Sequence, residues 1–571
     1  MADYGLNEEQ LKAVTSPSPA SLIRASAGSG KTRCLIAKIR YILDNGASPD
    51  SICAITFTNK AAKEMKERLK KFCDVSKIQV STIHSMCVRI IRTFSNFTVL
   101  KVPFSIYDDS DQLSVVKTVM KSRDIPGKHD EMLSAISRAK SDQSEDSLDG
   151  YEREVYLAYQ NILFKNNACD FDDLLIYAND CLKQEPCQRH FNDLWKHILV
   201  DEFQDTSTLQ YDIIRKLYNI NKTKSITCIG DINQSIYGWR AAKPENIMHY
   251  ITTIKPEVYD LTFNYRSAPE IIKHANKFLQ FGKTMVTKSD TKGLVSFSQF
   301  NTQEDEADKI SDAILKMGGY ESTAVLFRVN TRSLLFEREF TMKRIPYKIV
   351  GALPFYKRRV SKDLLAYCKA ALNRSDLESL NRIVNTPKRG FGAAKQEELL
   401  VKGWPYLEQC AEQIPAISDL IHILNDIRKM KPYDAVQHIL RQTQYKESLI
   451  KENDQRMLEA FLNIVYDFNT LEELILASTF LEEDSGQGVK LMTAHSSKGL
   501  EFDKVFVVGV EDGVWPHKLS ENLEEESRLY YVACTRARKF INVSYSKNRM
   551  LRGKPEKVSP SHLFTKSVTN I

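Results

Sequence analysis

The eight residues Ala25-Ser26-Ala27-Gly28-Ser29-Gly30-Lys31-Thr32 constrain this chain more than any other stretch. They follow an apolar run at 20–23 and precede helical spacing over 32–42, which predicts a buried strand, a tight glycine turn and a helix in succession. In that setting the glycines let backbone amides converge on one point, and the helix N-terminus adds positive dipole charge. The loop suits a polyphosphate, with Ala27, Gly28, Ser29 and Gly30 around its oxygens. Lys31 would reach the terminal phosphates and Thr32 would offer its hydroxyl to Mg2+. Ala25 stands where the strict pattern has glycine, and a glycine-rich surface turn is the competing reading of these eight residues alone.

A second stretch narrows the choice. The approach over 191–200 ends in Asp201-Glu202-Phe203-Gln204-Asp205, and adjacent carboxylates at the end of a buried strand are costly unless cations or donors meet them. Asp201 suits Mg2+, directly or through water, and Glu202 suits orienting and deprotonating an attacking water. Capping of the next helix is the alternative role for these acids. Loop and acids together point to hydrolysis rather than nucleotide storage. Gln204 and Gln234 are neutral polar groups near strand ends, and Gln234 follows Gly230-Asp231 at a spacing that could place it by the terminal phosphate. Arg266 and Arg536 are candidates to neutralise charge there, although an arginine taken singly is more often a surface residue.

Further strand candidates at 52–57, 197–200 and 225–229 run into polar turns, and helical spacing resumes at 60–71. Such repetition predicts a parallel sheet with helices on both faces and its ligand outside the carboxyl ends of the strands. Residues from about 90 to 190 read as helical, with a polar middle at 137–149. A second α/β pattern begins near Leu261, with strand candidates at 321–327, 488–492 and 504–510, and 372–484 is again largely helical around a basic turn, Lys388-Arg389-Gly390-Phe391-Gly392. A length of 571 residues is too great for one core. The simplest division is 1–90 with 192–258, a helical insertion at 91–191, then 259–371 with 485–571, and a short helical insertion at 372–484.

At 42% hydrophobic and 27% charged the chain reads as soluble and globular, and no apolar run reaches the roughly 18 to 20 residues that span a bilayer. Its start lacks a secretory signal, so an intracellular protein is expected. The eleven cysteines form no C-x-x-C pair and read as free thiols in a reducing compartment rather than zinc ligands. A net charge of +7 permits a polyanionic partner without establishing one.

Taken in order, these residues resemble the superfamily 1A DNA helicases of the UvrD, Rep and PcrA type. The resemblance rests on Leu6-Asn7-Glu8-Glu9-Gln10, the phosphate loop, Thr56-Phe57-Thr58-Asn59-Lys60-Ala61-Ala62, Thr82-Ile83-His84-Ser85 and Asp170-Phe171-Asp172-Asp173-Leu174. It continues through the acidic stretch, then Gly230-Asp231-Ile232-Asn233-Gln234-Ser235-Ile236-Tyr237-Gly238-Trp239-Arg240, and Asn264-Tyr265-Arg266-Ser267. Thr493-Ala494-His495-Ser496-Ser497-Lys498-Gly499-Leu500-Glu501-Phe502 and the run from Glu525 to Ala537 complete it. Any one string is weak, and the joint order and spacing are specific.

The resemblance implies two RecA-like parallel-sheet domains, each interrupted by a mainly helical insertion. It implies ATP with Mg2+ as cofactors, Gln10 on the adenine edge, Arg33 and Tyr265 about the base, and Glu501 near the ribose. Gln234 would sense the terminal phosphate, and Arg266 and Arg536 would be arginine fingers reaching from the second sheet domain to ATP on the first. Closure and opening around ATP would then drive movement along DNA.

The same resemblance implies a single-stranded DNA track. Aromatic rings stack on bases without sequence preference, which nominates Phe57, Tyr237 and Trp239, with Arg240 beside them. Asn59, Lys60, His84 and His495 are further track candidates, whereas Lys388 and Arg389 are equally well read as a solvated turn. The implied polarity is 3′ to 5′, on single-stranded DNA and its junctions with duplex, with no membrane role.

Replication or repair proteins are the partners the resemblance suggests. The chain is expected to be a monomer or weak oligomer in the cytoplasm or nucleoid, or in a host compartment for a viral chain. An ATP-driven helicase ranks above a translocase that mainly strips proteins from single strands, and both rank above a non-hydrolysing scaffold. Two departures stand out: Ala241 where the family has glycine, with ordinary helical dihedrals expected, and Val360-Ser361-Lys362-Asp363 after Phe355-Tyr356-Lys357-Arg358-Arg359. A long C-terminal docking tail and a nuclease domain are not expected.

Overall fold

The computed structural model describes residues 4–142, 144–219, 225–351, 358–449, 452–466, 468–480, 487–520, 522–551 and 554–569. They form two compact units, Met1–Gly293 with Glu521–Lys539, and Leu294–Ser520 with Phe540–Ile571. Among the described residues no helix is long and apolar enough to cross a membrane.

The first unit is built on β1 (Ala20–Ala25), β2 (Ile52–Thr56), β3 (Gln79–Thr82), β6 (His197–Val200), β7 (Ser225–Gly230) and β8 (Glu257–Leu261), in the order β3-β2-β6-β7-β1-β8. Every pairing in it is parallel. Alternate residues of one strand enter opposite cores: Leu22 packs with Ile55, Ile198 and Val200, while its neighbour Ile23 packs with Ala54, Leu199 and Ile229. This two-sided burial is why the central strands read as unbroken apolar runs. Each such aliphatic side chain contributes about 1.5 to 3 kcal/mol. The strand β8 carries the sheet to Leu261, past the expected boundary at 258.

Helices α1 (Glu8–Val14), α2 (Lys31–Asp44), α3 (Asn59–Leu69) and α4 (Ile83–Thr93) flank this sheet. Their starts are dictated locally. Asn7 and Gln10 form a reciprocal capping box on α1, and the Thr58 and Thr82 hydroxyls accept from Ala61 N and Ser85 N at the heads of α3 and α4.

The insertion contains α5 (Asp109–Ser122), α6 (His129–Asp142), α7 (Gly150–Lys165) and α8 (Phe171–Cys181), plus a short parallel pair, β4 (Ser105–Ile106) with β5 (Ala168–Cys169). It has its own core of Val116, Met120, Ile136, Tyr159 and Leu163. Beside that core the fully buried Lys140 donates to Asp170 at 2.6 Å and Asp173 at 2.8 Å, and Tyr159 donates to Asp170 at 2.9 Å. The Asp170-to-Leu174 string therefore closes an ionic lock on α6, with Asp170 also capping α8. A short parallel pair, β9 (Phe263–Asn264) with β10 (Val286–Thr287), completes the unit.

The second unit holds a seven-stranded sheet ordered β11 (Leu294–Thr302), β16 (Ala537–Leu551), β15 (Phe502–Val507), β12 (Thr323–Phe327), β14 (Val489–Thr493) and β13 (Tyr347–Val350), with β17 (Lys554–Lys557) antiparallel to β16. The long β16 and its partner β11 were not legible as strands: Asn542, Ser544 and Ser546 interleave the apolar residues of β16 although 541–546 are all buried, and no residue of β11 is fully buried. The helical insertion starts earlier than 372. Its helix Arg359–Leu372 places Val360, Leu364 and Cys368 in one core with Leu380, Leu420, Ile439 and Phe461. The departure at 360–363 is thereby explained in part: Val360 and Ser361 are buried and Asp363 accepts from Arg382 Nε at 2.8 Å and Tyr445 at 2.6 Å. Phe355, Tyr356 and Lys357 lie outside the described residues.

Candidate nucleotide site and DNA track

The loop after β1 turns as its glycines require. Gly28 and Gly30 have φ of +67° and +83°, in the left-handed region that side chains avoid, and α2 begins at Lys31. Three side-chain or backbone braces hold the turn. Gln10 Nε2 donates to Ser29 O at 2.9 Å, Asn264 Nδ2 donates to Ala27 O at 2.7 Å, and Tyr265 N donates to Gly28 O at 2.9 Å. A Cβ on Gly28 would meet Asn264 Nδ2 at 2.5 Å, so that glycine is also needed for the close approach of its brace. Gln10 is buried while Tyr265 is half exposed beside it in the same region, and Arg33 donates to Gly5 O. Thr32, in the first turn of α2, is half-buried.

Behind the loop stand the acids. Asp201 follows β6 and its amide donates to Ile55 O at 2.8 Å, while Glu202 adopts φ of +49°, a strained conformation for a residue with a side chain. Lys31 Nζ lies 3.5 Å from Glu202 Oε2. Burial pushes the Asp201 carboxyl up to about 7, the charge of Glu202 adds to the rise, and Lys31 opposes it. Adjacent carboxylates whose mutual charge helps raise the Asp201 pKa suit the oxygen-favouring Mg2+. Among the described residues no group of three or more His, Cys, Asp or Glu forms a metal cage, so such an ion would rest on Thr32, Asp201 and the phosphates themselves.

From Glu202 a continuous hydrogen-bond chain leads to the loop after β7. Gln204 Nε2 donates to Glu202 Oε2 at 2.5 Å, Gln204 Oε1 accepts from Asp231 N at 2.9 Å, and Gln234 Nε2 donates to Asp231 Oδ2 at 2.6 Å. Gln204, Asp231 and Gln234 are buried. Gly230 makes the junction possible, because a Cβ there would meet Gln204 Oε1 at 2.5 Å and two backbone nitrogens at 3.2 and 3.3 Å.

Compactness groups 259–293 and 521–539, which the sequence assigned to the second sheet domain, with the phosphate loop's unit. Arg266 and Arg536 therefore sit in the same unit as Lys31. Arg266 Nη1 donates to Thr535 O at 3.0 Å, and the buried Arg536 donates from Nε to Val532 O at 2.9 Å and from Nη2 to Thr535 Oγ1 at 3.0 Å. Tyr531, left without a role in the sequence reading, is fully buried; burial holds its hydroxyl well above the ordinary tyrosine range, Asp231 adds to this, and Ala27, Arg536 and Arg266 oppose it.

Past Gln234 the chain forms an aromatic surface. Phe57 and Tyr237 stack at 5.3 Å between centroids and 14° between planes, and Trp239 meets Tyr237 edge-on at 6.4 Å. Trp239 is 64% exposed, which argues for a ligand-facing ring rather than a core one. The side chain of Arg240 lies outside the described residues. Asn59 and Lys60 are exposed at the head of α3, and His84 in α4 meets Phe171 edge-on at 5.7 Å. Burial depresses the His84 pKa, favouring the neutral ring. His495 and Glu501 belong to the second unit, following β14, with His495 half-buried and Glu501 exposed. Lys388 is exposed, but Arg389 is structural: it donates to Ile383 O at 2.7 Å and to Tyr367 Oη at 2.6 Å.

The aromatic loop is held by residues the sequence reading had not singled out. On the helix Leu523–Cys534, Arg528 Nε donates to Ser235 O at 2.9 Å and Glu525 Oε1 accepts from Gly238 N at 3.2 Å. Asn233 ties the loop to Gln280 N and Phe281 N at 2.8 and 3.0 Å. Arg528 and Asn233 lay within quoted strings, whereas nothing around Gln280 signalled it. Ala241 overturns one expectation. Its φ is +58°, left-handed rather than helical, so glycine is the natural residue there and alanine is strained by roughly 1 kcal/mol.

Fold and site together define a phosphate-loop protein of two parallel α/β sheets, each interrupted by a mainly helical insertion. Residues 6–255 match the UvrD/REP helicase N-terminal domain, and 259–409 with 405–548 match the UvrD-like helicase C-terminal domain. The chain is 33% identical over 630 positions to the ATP-dependent DNA helicase PcrA of Staphylococcus aureus, covering 98% of this chain and 86% of that protein. It is 34% identical to the protein of that name from Staphylococcus epidermidis, with the same coverage. The chain belongs to the UvrD/Rep helicase family, and its two sheets are RecA-like domains. Helicases of this family couple ATP hydrolysis to DNA unwinding.

Proposed function

We propose that this chain is an ATP-dependent DNA helicase that moves 3′ to 5′ on single-stranded DNA and separates duplex ahead of it. The observation that carries the reading is the chain of contacts from the half-buried Lys31 and Glu202 through the buried Gln204 and Asp231 to Gln234, which ends at the loop bearing Tyr237 and Trp239. Phosphoryl transfer to water needs a base and fixed positive charge. Glu202 is the base; Lys31 holds the terminal phosphates; Thr32 and Asp201 hold Mg2+, which when bound neutralises phosphate charge. Gln204 is placed to respond when Glu202 takes a proton, and it passes that change to Asp231 and Gln234. Arg266 and Arg536 act on the terminal phosphate after turning from their present partners. Gln10, Arg33 and Tyr265 receive the base, and Glu501 the ribose.

On the DNA side, Phe57, Tyr237 and Trp239 stack on bases at about 1 to 3 kcal/mol each. Asn59, Lys60, His84, Arg240 and His495 complete the track. The test is ATP-dependent unwinding of duplexes carrying a 3′ or a 5′ single-stranded tail. Unwinding from the 3′ tail alone is expected, and unwinding from the 5′ tail alone would overturn the polarity.

A second reading is a single-strand translocase that mainly displaces bound proteins. It is favoured by length: the alignment to the S. aureus relative runs over 630 positions against 571 residues here, so that relative carries segments this chain lacks. Protein displacement from single strands without unwinding of either tailed duplex would select it.

A further inference from the structure

Away from the nucleotide site, the outer face of α3 and the edge strand β3 enclose an open groove of about 670 Å³. Its α3 wall carries Lys63, Lys66 and Lys70, and its β3 wall carries Gln79 and Ser81. Lys70 is paired with Glu67 at 2.7 Å, whereas the ammonium groups of Lys63 and Lys66 form no ion pair or hydrogen bond among the described residues. Arg89 approaches the opposite wall by donating to Gln79 Oε1. The segment from Lys60 to Lys71 holds six cations against two anions, all but the buried faces of α3 being exposed. Asn59, which the proposed function assigns to the DNA track, also lines the groove.

We infer that this groove holds the phosphate backbone of double-stranded DNA continuing from the single-stranded track. The inference rests on the proposed function and adds to it a second, chemically different DNA surface. Three arguments favour duplex over more single strand or an acidic protein. Proteins that grip single strands do so largely by stacking bases on aromatic rings, and among the described residues no aromatic one lines the groove. Lysines with hydroxyls and amides, by contrast, are the donors that meet phosphates of a strand whose bases are already paired. Helical rise spreads Lys63, Lys66 and Lys70 along about 10 Å of α3, a row that can follow the phosphates of one duplex strand. Continuity with Asn59 then makes the occupant nucleic acid rather than a separate polypeptide.

The test compares the wild-type chain with K63A/K66A on two probes of equal nucleotide count, a single strand and a 3′-tailed duplex, by fluorescence anisotropy across a salt series. The variant is expected to bind the tailed duplex roughly ten-fold more weakly near 0.1 M salt, with the log–log salt slope reduced by about 2. Affinity for the single strand and single-strand-stimulated ATPase should be unchanged, and K63R/K66R should restore duplex binding. Equal loss on both probes would overturn the inference by making the groove part of the single-strand track. No loss on either would overturn it in favour of an acidic protein partner. A wild-type chain that binds neither probe would instead defeat the proposed function, and this inference with it.

Discussion

The two sheet units each gather carboxylates and a cation beside their strands, and they treat them oppositely. In the second unit Arg332 lies against Glu511 and 3.9 Å from Glu306. Glu306 accepts from Ser544 Oγ at 2.6 Å and Gly509 N at 3.2 Å, and Glu511 from Ser546 N at 3.2 Å. The side chains of Arg332 and Glu511 are 6% and 0% exposed; those of Lys31 and Glu202 are 13% and 26% exposed, and their separation is 3.5 Å. A saturated, sealed network has no capacity left for a ligand and serves the fold. The phosphate-loop cluster is more open, and its adjacent acids raise one another's proton affinity. Residue type alone does not separate the two; closure does.

The comparison is broken most directly at Glu202. E202Q should leave ATP binding and thermal stability near wild type while lowering DNA-stimulated hydrolysis by roughly 10²- to 10⁴-fold; undiminished turnover removes Glu202 as the base. The opposite pattern is expected at Arg332. R332A strands two buried carboxylates and should lower stability by about 3 to 5 kcal/mol, read as a drop in melting temperature, with the ATP affinity of the folded fraction retained. A stable R332A variant would show that the second cluster is not the closed structural network described.

Changing Trp239 to alanine should weaken single-strand affinity by about 1 to 3 kcal/mol and blunt DNA stimulation of the ATPase without altering the basal rate. Normal stimulation would detach the aromatic loop from the nucleotide site.

A smaller effect separates the first insertion from both clusters. Burial, then the charge of Asp170, pushes the Asp172 carboxyl up to about 6, while Ser137 and Ser141 donate to it. Free aspartate titrates near 3.9, so the folded state holds this proton more tightly. The stabilisation is complete below the unfolded value and is lost as pH rises through about 6. Asp172→Asn should therefore raise the melting temperature more at pH 8 than at pH 5, and an equal shift at both would refute the titration.

The smallest change expected is at Ala241. A241G relieves a left-handed alanine and should stabilise by roughly 0.5 to 1 kcal/mol, readable as a small rise in melting temperature; a fall would mean the methyl packs usefully.

Much of the first sheet was legible because two-sided burial writes continuous apolar runs at β1, β2, β6 and β7. The edge strand β3 and the long β16 were not, since polar residues alternate with apolar ones along both, half-buried at β3 and fully buried at Asn542, Ser544 and Ser546 of β16. Within the site, Lys31, Thr32, Asp201 and Glu202 were readable because strand-end chemistry is local in sequence. Gln280 was not, and Glu525 and Tyr531 stood in a quoted run without a role, because their partners lie from tens to hundreds of residues away.

By itself the sequence determined the order of chemical groups, the phosphate loop with its left-handed glycines, and the family to which that order belongs. These depend on short spacings that sterics and hydrogen bonding resolve locally. Only the tertiary structure decided that Glu202 is open and Glu511 sealed, that Gln204 joins the acids to Asp231, that Arg389 is structural, and that Ala241 is strained. Each of these depends on what distant segments bring within a few ångströms, where burial and partner count, rather than residue type, set the energy of a charge or a backbone turn.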